Sequence, residues 1–173
     1  MTNKLHLGCG NNILEGWVNH DISPLPGVDV VHDLTILPWP FESNSFCEVL
    51  MVNVLEHLSD TVKTIEELHR IAAPGAKVTI RVPYWNSPDM TTDPTHKAFF
   101  NEHSLDFFDP SQRHCKERPY YSSARFKIEK KHYYVKVRGY RRISSPWMQR
   151  VLEVLARHLC GVVWVIEFDL VAL

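Results

Sequence analysis

The chain has 173 residues, of which 45% are hydrophobic and 23% charged, and its net charge is −1. These values are typical of one globular domain with a full core, and no apolar run reaches the roughly 18 residues of a membrane span. The first predicted strand begins at Lys4, which leaves no room for a signal peptide, so we expect a cytoplasmic protein. The four cysteines are scattered without CxxC spacing and are expected to be reduced thiols: Cys9, Cys47, Cys115 and Cys160.

The first 82 residues predict four short strands, then one helix and a fifth strand. The helix has apolar residues at helical spacing and a capping side chain at Ser59 or Asp60, and the Pro74-Gly75 pair predicts a break after it. The predicted elements are strands at Lys4–Gly8, Trp17–Asp21, Val28–Val31 and Phe46–Val52, a helix at Asp60–Ile71, and a strand at Lys77–Val82.

The pattern weakens over residues 83–123, which hold five prolines and one short predicted helix, Ser104–Phe108. A long alternating strand, an amphipathic helix and a last strand follow, at Arg125–Arg138, Pro146–Leu159 and Val162–Val171. The apolar stripe of that helix is Trp147, Val151, Leu155 and Leu159.

Alternating strands and helices predict a single Rossmann-like α/β domain with a mostly parallel, twisted sheet and helices on both faces. The last two strands are joined through one helix, which allows a crossover or an antiparallel return, and we predict an antiparallel strand at the C-terminal edge. Within the domain of residues 1–173 we divide the chain into a cofactor-binding half (1–82), a substrate or lid region (83–123) and a C-terminal strand–helix–strand unit (124–173).

A glycine-rich turn follows the first strand, and an acidic residue ends each of the next two strands. Gly8 and Gly10 allow the backbone to approach a ligand closely, while Asp21 and Asp33 offer carboxylates to ribose hydroxyls. The combination predicts a nucleoside-bearing cofactor. A nicotinamide dinucleotide is disfavoured, because Ile13 occupies the third glycine position and Asp21 follows too soon.

Several segments together resemble one family. They are LHLGCGN, GWVNHDI, the run VDVVHDLTILPWPFESNSFCEVLMVNVLEHL, LHRIAAPGAKVTIRVPY, and DPTHKAFF followed by SLDFF. Over about the first 110 residues the chain resembles the class I S-adenosylmethionine-dependent methyltransferases, and in particular a small type-11-like group. The resemblance implies S-adenosyl-L-methionine as cofactor and S-adenosyl-L-homocysteine as product.

The resemblance also implies roles for particular residues. The glycine turn would pass under the methionine and ribose, Asp21 would bind both ribose hydroxyls, and Asn53 would face the methionine end. The full implied cofactor set is Gly8, Cys9, Gly10, Asp21, Ile22 (on adenine), Asp33 (at the adenine amino group), Leu34 and Asn53. The chain departs from the family in lacking an N-terminal helix and a helix after the glycine turn, which leaves the cofactor exposed or covered by residues 83–123.

Methyl transfer to a hydroxyl or neutral amine needs a group that takes the acceptor's proton. We predict His96 for this task, with Asp93 and His57 as further catalytic candidates. The alternatives are structural: His57 would brace the helix start, and Asp93 would stabilise a turn. Zinc on His96, His103, His114 and Cys115 is another alternative, but the spacing matches no familiar site and we predict no metal.

Eleven Lys and Arg residues and two acids lie between Arg113 and Arg142, which predicts contact with an anion or, alternatively, a solvated strand edge. We predict a methyltransferase for a small or carbohydrate-like acceptor, with a small-molecule or anionic substrate and no transmembrane segment. The alternatives are an RNA methyltransferase that uses this basic segment and a non-catalytic module that binds S-adenosylmethionine. The sequence leaves the acceptor, the oligomeric state and the pathway open.

Overall fold

A computed structural model describes residues 3–173, which form one sheet of eight strands with helices around it. The strands are β1 (Asn3–Leu7), β2 (Val18–Asp21), β3 (Val30–Val31), β4 (Phe46–Val52), β5 (Ala72–Pro83), β6 (Phe126–Lys136), β7 (Tyr140–Ile143) and β8 (Val165–Ala172). The helices are α1 (Thr61–Ile71), α2 (Pro88–Thr92), α3 (Arg113–Glu117) and α4 (Pro146–His158), with single 3₁₀ turns at Leu55–His57, Asp106–Phe108 and Pro119–Tyr121.

The strand order is β3-β2-β1-β4-β5-β8-β6-β7. Strands β1 to β5 are parallel, whereas β8 runs antiparallel between β5 and β6, and β7 pairs antiparallel to β6 at the edge. The predicted Rossmann-like sheet with an antiparallel C-terminal edge is therefore confirmed. The chain order reverses between β1 and β4, and ligands of such sheets bind at the carboxyl ends of the strands beside this reversal.

The central strands have one apolar face and one more polar face. On β5, Val78, Ile80 and Val82 are fully buried with Leu68 of α1, because alternate residues point to the same side of a strand. The intervening side chains bond to β8 instead: the Arg81 guanidinium donates to Glu167 Oε2 at 2.7 Å. Helix α1 begins where expected, since Asp60 accepts the Lys63 N–H at 3.0 Å.

Two predicted boundaries are wrong. Strand β5 begins at Ala72 and continues through Pro74-Gly75, where its register with β4 shifts; the pair makes a bulge, with Gly75 at φ +79°, and not a break. The predicted strand Arg125–Arg138 is β6, which ends at Lys136, because Arg138 (φ +52°) and Gly139 (φ +111°) turn the chain back into β7, a strand that was not predicted.

Residues 84–123 cover the carboxyl ends of β4 and β5. The backbone carbonyl of Glu56 accepts the N–H groups of Lys97 (2.7 Å) and Ala98 (3.1 Å), which ties this segment to the loop after β4. Short helices α2 and α3 were not predicted, and the helix expected at Ser104–Phe108 is only a 3₁₀ turn, because the Ser104 hydroxyl accepts from Asn101 and does not cap it. The role of this segment as a substrate region or lid stays a prediction.

Helix α4 exposes much of its apolar stripe. Trp147 is 72% exposed and Leu159 54%, while Ala156 is the buried residue of the helix. The Glu153 carboxylate accepts the Tyr133 hydroxyl at 2.6 Å, which anchors α4 to β6 by a face beside the stripe. None of the helices within residues 3–173 has the length and apolar character needed to cross a bilayer.

The buried carboxylate of Glu67 joins α1 to the loop before β4. Its Oε1 accepts the Trp39 N–H at 2.6 Å, and Arg70 donates to both of its oxygens, at 2.6 and 2.9 Å. Burial acts to raise the pKa of Glu67, but Arg70 and the Trp39 N–H outweigh it and hold this pKa below its ordinary value of 4.5. The ionised form is therefore the one that stabilises the fold.

We expect Glu67→Gln to lower the free energy of unfolding by about 1–3 kcal/mol at neutral pH, the range for a buried, charge-assisted hydrogen bond. Because the folded pKa is depressed, this contribution is complete above the ordinary carboxyl pKa and disappears as the pH falls through the folded pKa. Urea unfolding from pH 7 to 3 should show the free energies of unfolding of the wild type and of Glu67→Gln converging as the pH falls. Glu15→Gln, at an exposed position, is the control, and an equal loss there would contradict the assignment.

Candidate cofactor and acceptor site

A pocket of about 250 Å³ lies at the carboxyl ends of β1, β2 and β4. It brings together six of the eight predicted cofactor residues, Gly8, Asp21, Ile22, Asp33, Leu34 and Asn53. Its other lining residues were not assigned to the cofactor: His20, His32, Val54, His57 and Leu58. The convergence follows from the parallel strands, whose carboxyl ends meet at one edge of the sheet.

The glycine turn and Asp21 form one hydrogen-bonded unit. Gly8 and Gly10 have φ values of +63° and +52°. The Gly10 N–H donates to Asp21 Oδ2 at 2.8 Å, and the Ser23 N–H donates to Oδ1 at 3.0 Å. Each carboxylate oxygen keeps acceptor capacity, so the carboxylate is fixed in place and still able to accept two hydroxyl groups.

His20 supports the glycine turn from below. Its Nε2 lies 2.9 Å from the His32 carbonyl and so carries the proton, which leaves Nδ1 facing the Gly8 N–H at 3.5 Å. Burial lowers the pKa of His20, in keeping with a neutral ring. This role was not predicted, because a histidine inside a short strand gives no pattern of its own.

Asp33 and Ile22 border the far side of the pocket. Asp33 Oδ1 accepts the backbone N–H and the hydroxyl of Thr35, both at 2.8 Å, and these bonds hold the pKa of Asp33 below its usual range. Ile22 is 62% exposed, an apolar side chain left open at the rim of a pocket. An exposed apolar surface beside a fixed carboxylate suits the face and the amino group of a purine.

Cys9 and Gly10 lie in the turn but do not line this pocket. The Cys9 side chain is buried in the core, and burial raises the pKa of its thiol. Its N–H donates to the His20 carbonyl at 2.9 Å, so Cys9 contributes backbone to the turn.

A second pocket, of about 360 Å³, adjoins the first and shares Asn53 and His57 with it. All three predicted catalytic residues line this second pocket, together with Glu56, Arg81, Asp89, Tyr134 and Tyr140: they are His57, Asp93 and His96. Asn53 sits at the boundary in the left-handed conformation, with φ +53°. The two pockets therefore adjoin, with Asn53 and His57 between them.

The loop of Asp93 to His96 is organised by its own hydrogen bonds. Asp93 Oδ1 accepts the N–H of Thr95 at 2.8 Å and its hydroxyl at 2.6 Å, and these bonds lower the pKa of Asp93. The Thr95 hydroxyl oxygen also lies 2.9 Å from His57 Nδ1. The rings of His57 and His96 meet edge to face at 4.7 Å, and burial, then His96, lower the pKa of His57.

Glu56 is a site residue that was not predicted from the sequence. Its side chain is fully buried, and neither carboxylate oxygen has a hydrogen-bond partner among the described residues. Burial raises the pKa of Glu56 to about 7. The only sequence signal was a charged residue, Glu56, directly after the apolar residues Val54 and Leu55. Such a residue is equally typical of an ion pair in a loop.

The four candidate zinc ligands do not converge in the described residues. His96 packs against His57, whereas His103 and His114 lie near Asp106, and Cys115 belongs to neither group. His103 lies just before the 3₁₀ turn at Asp106–Phe108 and His114 lies in α3, and both histidines group with Asp106 and not with His96.

Much of the basic segment is engaged in contacts within the chain. Lys131 pairs with Asp106 at 2.7 Å, Lys136 with Asp89 at 3.3 Å, and Arg113 with Glu117 at 2.6 Å. Arg125 donates to backbone carbonyls, and Arg142 donates to the His132 ring. Tyr133 and Tyr134, which lie in this segment, are buried.

Residues 5–80 match the profile of a family described as a methyltransferase domain. No curated protein matches the chain. Among solved structures, a SAM-dependent methyltransferase from Archaeoglobus fulgidus is similar at 18% identity and a TM-score of 0.59, over 98% of this chain and 86% of that one. A possible histamine N-methyltransferase from Thermotoga maritima is similar at 15% identity and a TM-score of 0.55, over 97% and 81% of the two chains.

The [4+2]-cyclase SpnF is similar at 12% identity and a TM-score of 0.55, over 99% of this chain and 74% of that one. These TM-scores establish a shared fold, and the cyclase shows that the fold by itself does not fix a reaction. The chain therefore has the Rossmann-like fold that these S-adenosylmethionine-dependent methyltransferases share. The profile match over residues 5–80 shows that this part of the chain is similar to a methyltransferase domain, and it implies S-adenosylmethionine as the cofactor.

We expect Asp21→Ala to weaken binding of S-adenosylhomocysteine by about 1–3 kcal/mol, the range for a lost charge-assisted hydrogen bond. Titration calorimetry measures the change. Asp29→Ala is the matched control, because Asp29 also accepts a backbone N–H, from Asn19 at 2.7 Å, but lies outside the pocket. Equal affinity in wild type and a folded Asp21→Ala protein would remove Asp21 from the site.

Proposed function

We propose that this protein transfers the methyl group of S-adenosylmethionine to a hydroxyl or neutral amine of a small, polyhydroxylated acceptor. The observation that carries the proposal is the pair of adjoining pockets with Asn53 and His57 in their common wall. Methyl transfer is an in-line displacement, and its rate depends on holding the sulfonium, the methyl carbon and the acceptor atom in one line. Adjoining pockets are the arrangement that this reaction needs.

The lining of the larger pocket supports a neutral acceptor. Arg81 is the one arginine or lysine among the described residues of that lining, and its charge is paired with Glu167 at 2.5 Å. The Asp89 carboxylate bonds to Lys136 and to the Tyr140 hydroxyl. Paired charges, hydroxyls and aromatic rings favour a carbohydrate-like molecule over a phosphorylated one.

For the proton we propose His96 as the accepting base. The ring Nδ1 lies 3.0 Å from the Met90 carbonyl and therefore carries the hydrogen, which leaves Nε2 free to accept a proton. Asp93, acting through Thr95, is proposed as a positioning residue for His57, which borders the cofactor. For the cofactor we propose the set of Gly8, Asp21, Ile22, Asp33, Leu34 and Asn53.

The RNA methyltransferase alternative loses support from the basic segment, since several of its cations have partners in the chain. The non-catalytic binding module differs from our proposal only in turnover, so an assay separates the two.

The test is incubation of the purified protein with S-adenosylmethionine and a panel of sugars, sugar phosphates, small amines and RNA, with S-adenosylhomocysteine measured as product. We expect turnover with a neutral sugar or a related polyol and none with RNA. Binding of S-adenosylhomocysteine without turnover across the panel would favour the binding module. Turnover confined to sugar phosphates or RNA would overturn the proposed acceptor class.

A further inference from the structure

The Glu56 carboxylate is buried in the wall of the larger pocket, which we call the acceptor pocket. Both of its oxygens are unpartnered among the described residues. Its side-chain exposure is 0%. Buried polar groups in proteins are almost always hydrogen-bonded, paired with a charge or bound to a metal. The nearest candidate within the chain, His96 Nε2, is 4.0 Å from Oε1, which is too far for a hydrogen bond. The Glu56 carboxylate therefore lacks the binding partner that a buried charged group needs.

The hydrogen bonds of the two neighbouring histidines leave both Nε2 atoms unprotonated in the neutral rings. His96 Nδ1 donates to the Met90 carbonyl at 3.0 Å. The single hydroxyl hydrogen of Thr95 goes to Asp93 at 2.6 Å, so the same oxygen must accept from His57 Nδ1–H at 2.9 Å. Each ring thus presents a lone pair at Nε2, the form in which imidazole binds a metal.

Three clusters of histidine and acidic residues lie within ligand distance in the described chain, and they differ in one respect. In the cluster around His103, the Asp106 carboxylate is bonded to His103 and Lys131. In the cluster around His132, the acids are bonded to Arg81 and to His132 itself. Only the cluster of Glu56, His57 and His96 keeps its carboxylate unpartnered among the described residues.

We propose that Glu56, His57 and His96 bind a divalent first-row transition-metal ion, of which zinc and manganese are the probes. Two imidazoles and one carboxylate form a ligand set typical of open metal sites. One ligand atom from each side chain lies within 4.8 Å of the others. Bonds of about 2.1 Å require the side chains to close in by about 1 Å. The Met90 carbonyl and the Thr95–Asp93 pair supply the outer hydrogen bonds that orient such ligands.

All three ligands line the acceptor pocket, so the open positions of the ion face the acceptor. A divalent ion there would bind the acceptor hydroxyl and lower its pKa. His96 would then be a ligand and not the base: the ion would lower the pKa of the hydroxyl, and the hydroxyl proton would pass to water in the pocket. Metal binding itself requires neither cofactor nor turnover, so it is measured independently of the proposed reaction.

The experiment uses the full chain after treatment with EDTA and its removal, titrated separately with Zn²⁺, Mn²⁺ and Mg²⁺ in a calorimeter. We expect one ion per chain, with Zn²⁺ bound at least about 100-fold more tightly than Mg²⁺. Glu56→Gln and His96→Ala should each weaken Zn²⁺ binding by about 100-fold, and Thr95→Val by about 10-fold through the lost outer bond. His103→Ala, in the neighbouring cluster, should leave the affinity unchanged.

Circular dichroism identifies variants that fail to fold, and Thr95→Val keeps the test valid if Glu56→Gln is among them. The inference is overturned if the wild-type protein takes up no stoichiometric ion, or if the ion is lost in His103→Ala and retained in His96→Ala. A protein that takes up no ion but methylates its acceptor would overturn the metal site and keep the proposed function. A protein that binds the ion but never turns over would support the metal site and contradict the proposed function.

Discussion

Gly8→Ala is expected to weaken binding of S-adenosylhomocysteine by about 100-fold or more. A Cβ atom on Gly8 would lie 2.2 Å from Val54 Cγ2, and Val54 is a short, branched side chain that lines the cofactor pocket. The left-handed backbone at φ +63° adds strain to this overlap. Overpacking and backbone strain each cost about 1–3 kcal/mol, and relief of the overlap would move the pocket wall.

Gly10→Ala is the matched control, because Gly10 has nearly the same backbone conformation (φ +52°) but a Cβ atom there would meet no other atom within 4 Å. We expect it to cost about 1–2 kcal/mol of stability and to change the affinity less than tenfold. The double variant Gly8→Ala/Val54→Ala should recover much of the affinity, since it removes the overlapping methyl group. Calorimetry with S-adenosylhomocysteine and urea unfolding measure the two effects separately. Equal losses at positions 8 and 10 would contradict the proposed overlap.

His96→Ala is expected to lower kcat for methyl transfer by about 10²- to 10⁴-fold, the usual contribution of a general acid or base. The affinity for S-adenosylhomocysteine should change less than twofold, because His96 lines the acceptor pocket and not the cofactor pocket. Steady-state kinetics with the acceptor found in the panel, together with calorimetry, provide both numbers. Unchanged kcat would remove His96 from the reaction.

His103→Ala is the control, because His103 lies in the same segment but lines neither pocket. The effect of EDTA on the wild-type rate then separates the two roles of His96. A rate that is insensitive to EDTA assigns the loss to a missing base, whereas a rate abolished by EDTA and restored by added metal assigns it to a missing ligand.

The parallel half of the fold could be predicted because its signals are local. Strand β4 was predicted with its observed bounds, Phe46–Val52, since a continuous apolar run has to be buried. Asp21 and Asp33 were predicted to converge because parallel strands end at one edge, and both line the cofactor pocket. These inferences required only a parallel sheet and the direction of the chain.

The rest of the fold and of the candidate site depends on contacts between segments that are far apart in the sequence. Glu56 is expected at the surface because carboxylates are rarely buried, and only the folded chain shows the segment from Asp93 to Ala98 closing over it. Gly139 signals a turn after β6, but only the folded chain shows that Tyr140–Ile143 returns to pair with β6 as β7. The stripe of α4 has helical spacing, but spacing does not say which face meets the sheet.

The common wall of Asn53 and His57 has a thermodynamic consequence. If a ligand in one chamber reorients either side chain, it changes the affinity of the other chamber, and linkage requires the two effects to be equal in size. S-adenosylhomocysteine and the acceptor should therefore each shift the dissociation constant of the other by one and the same factor.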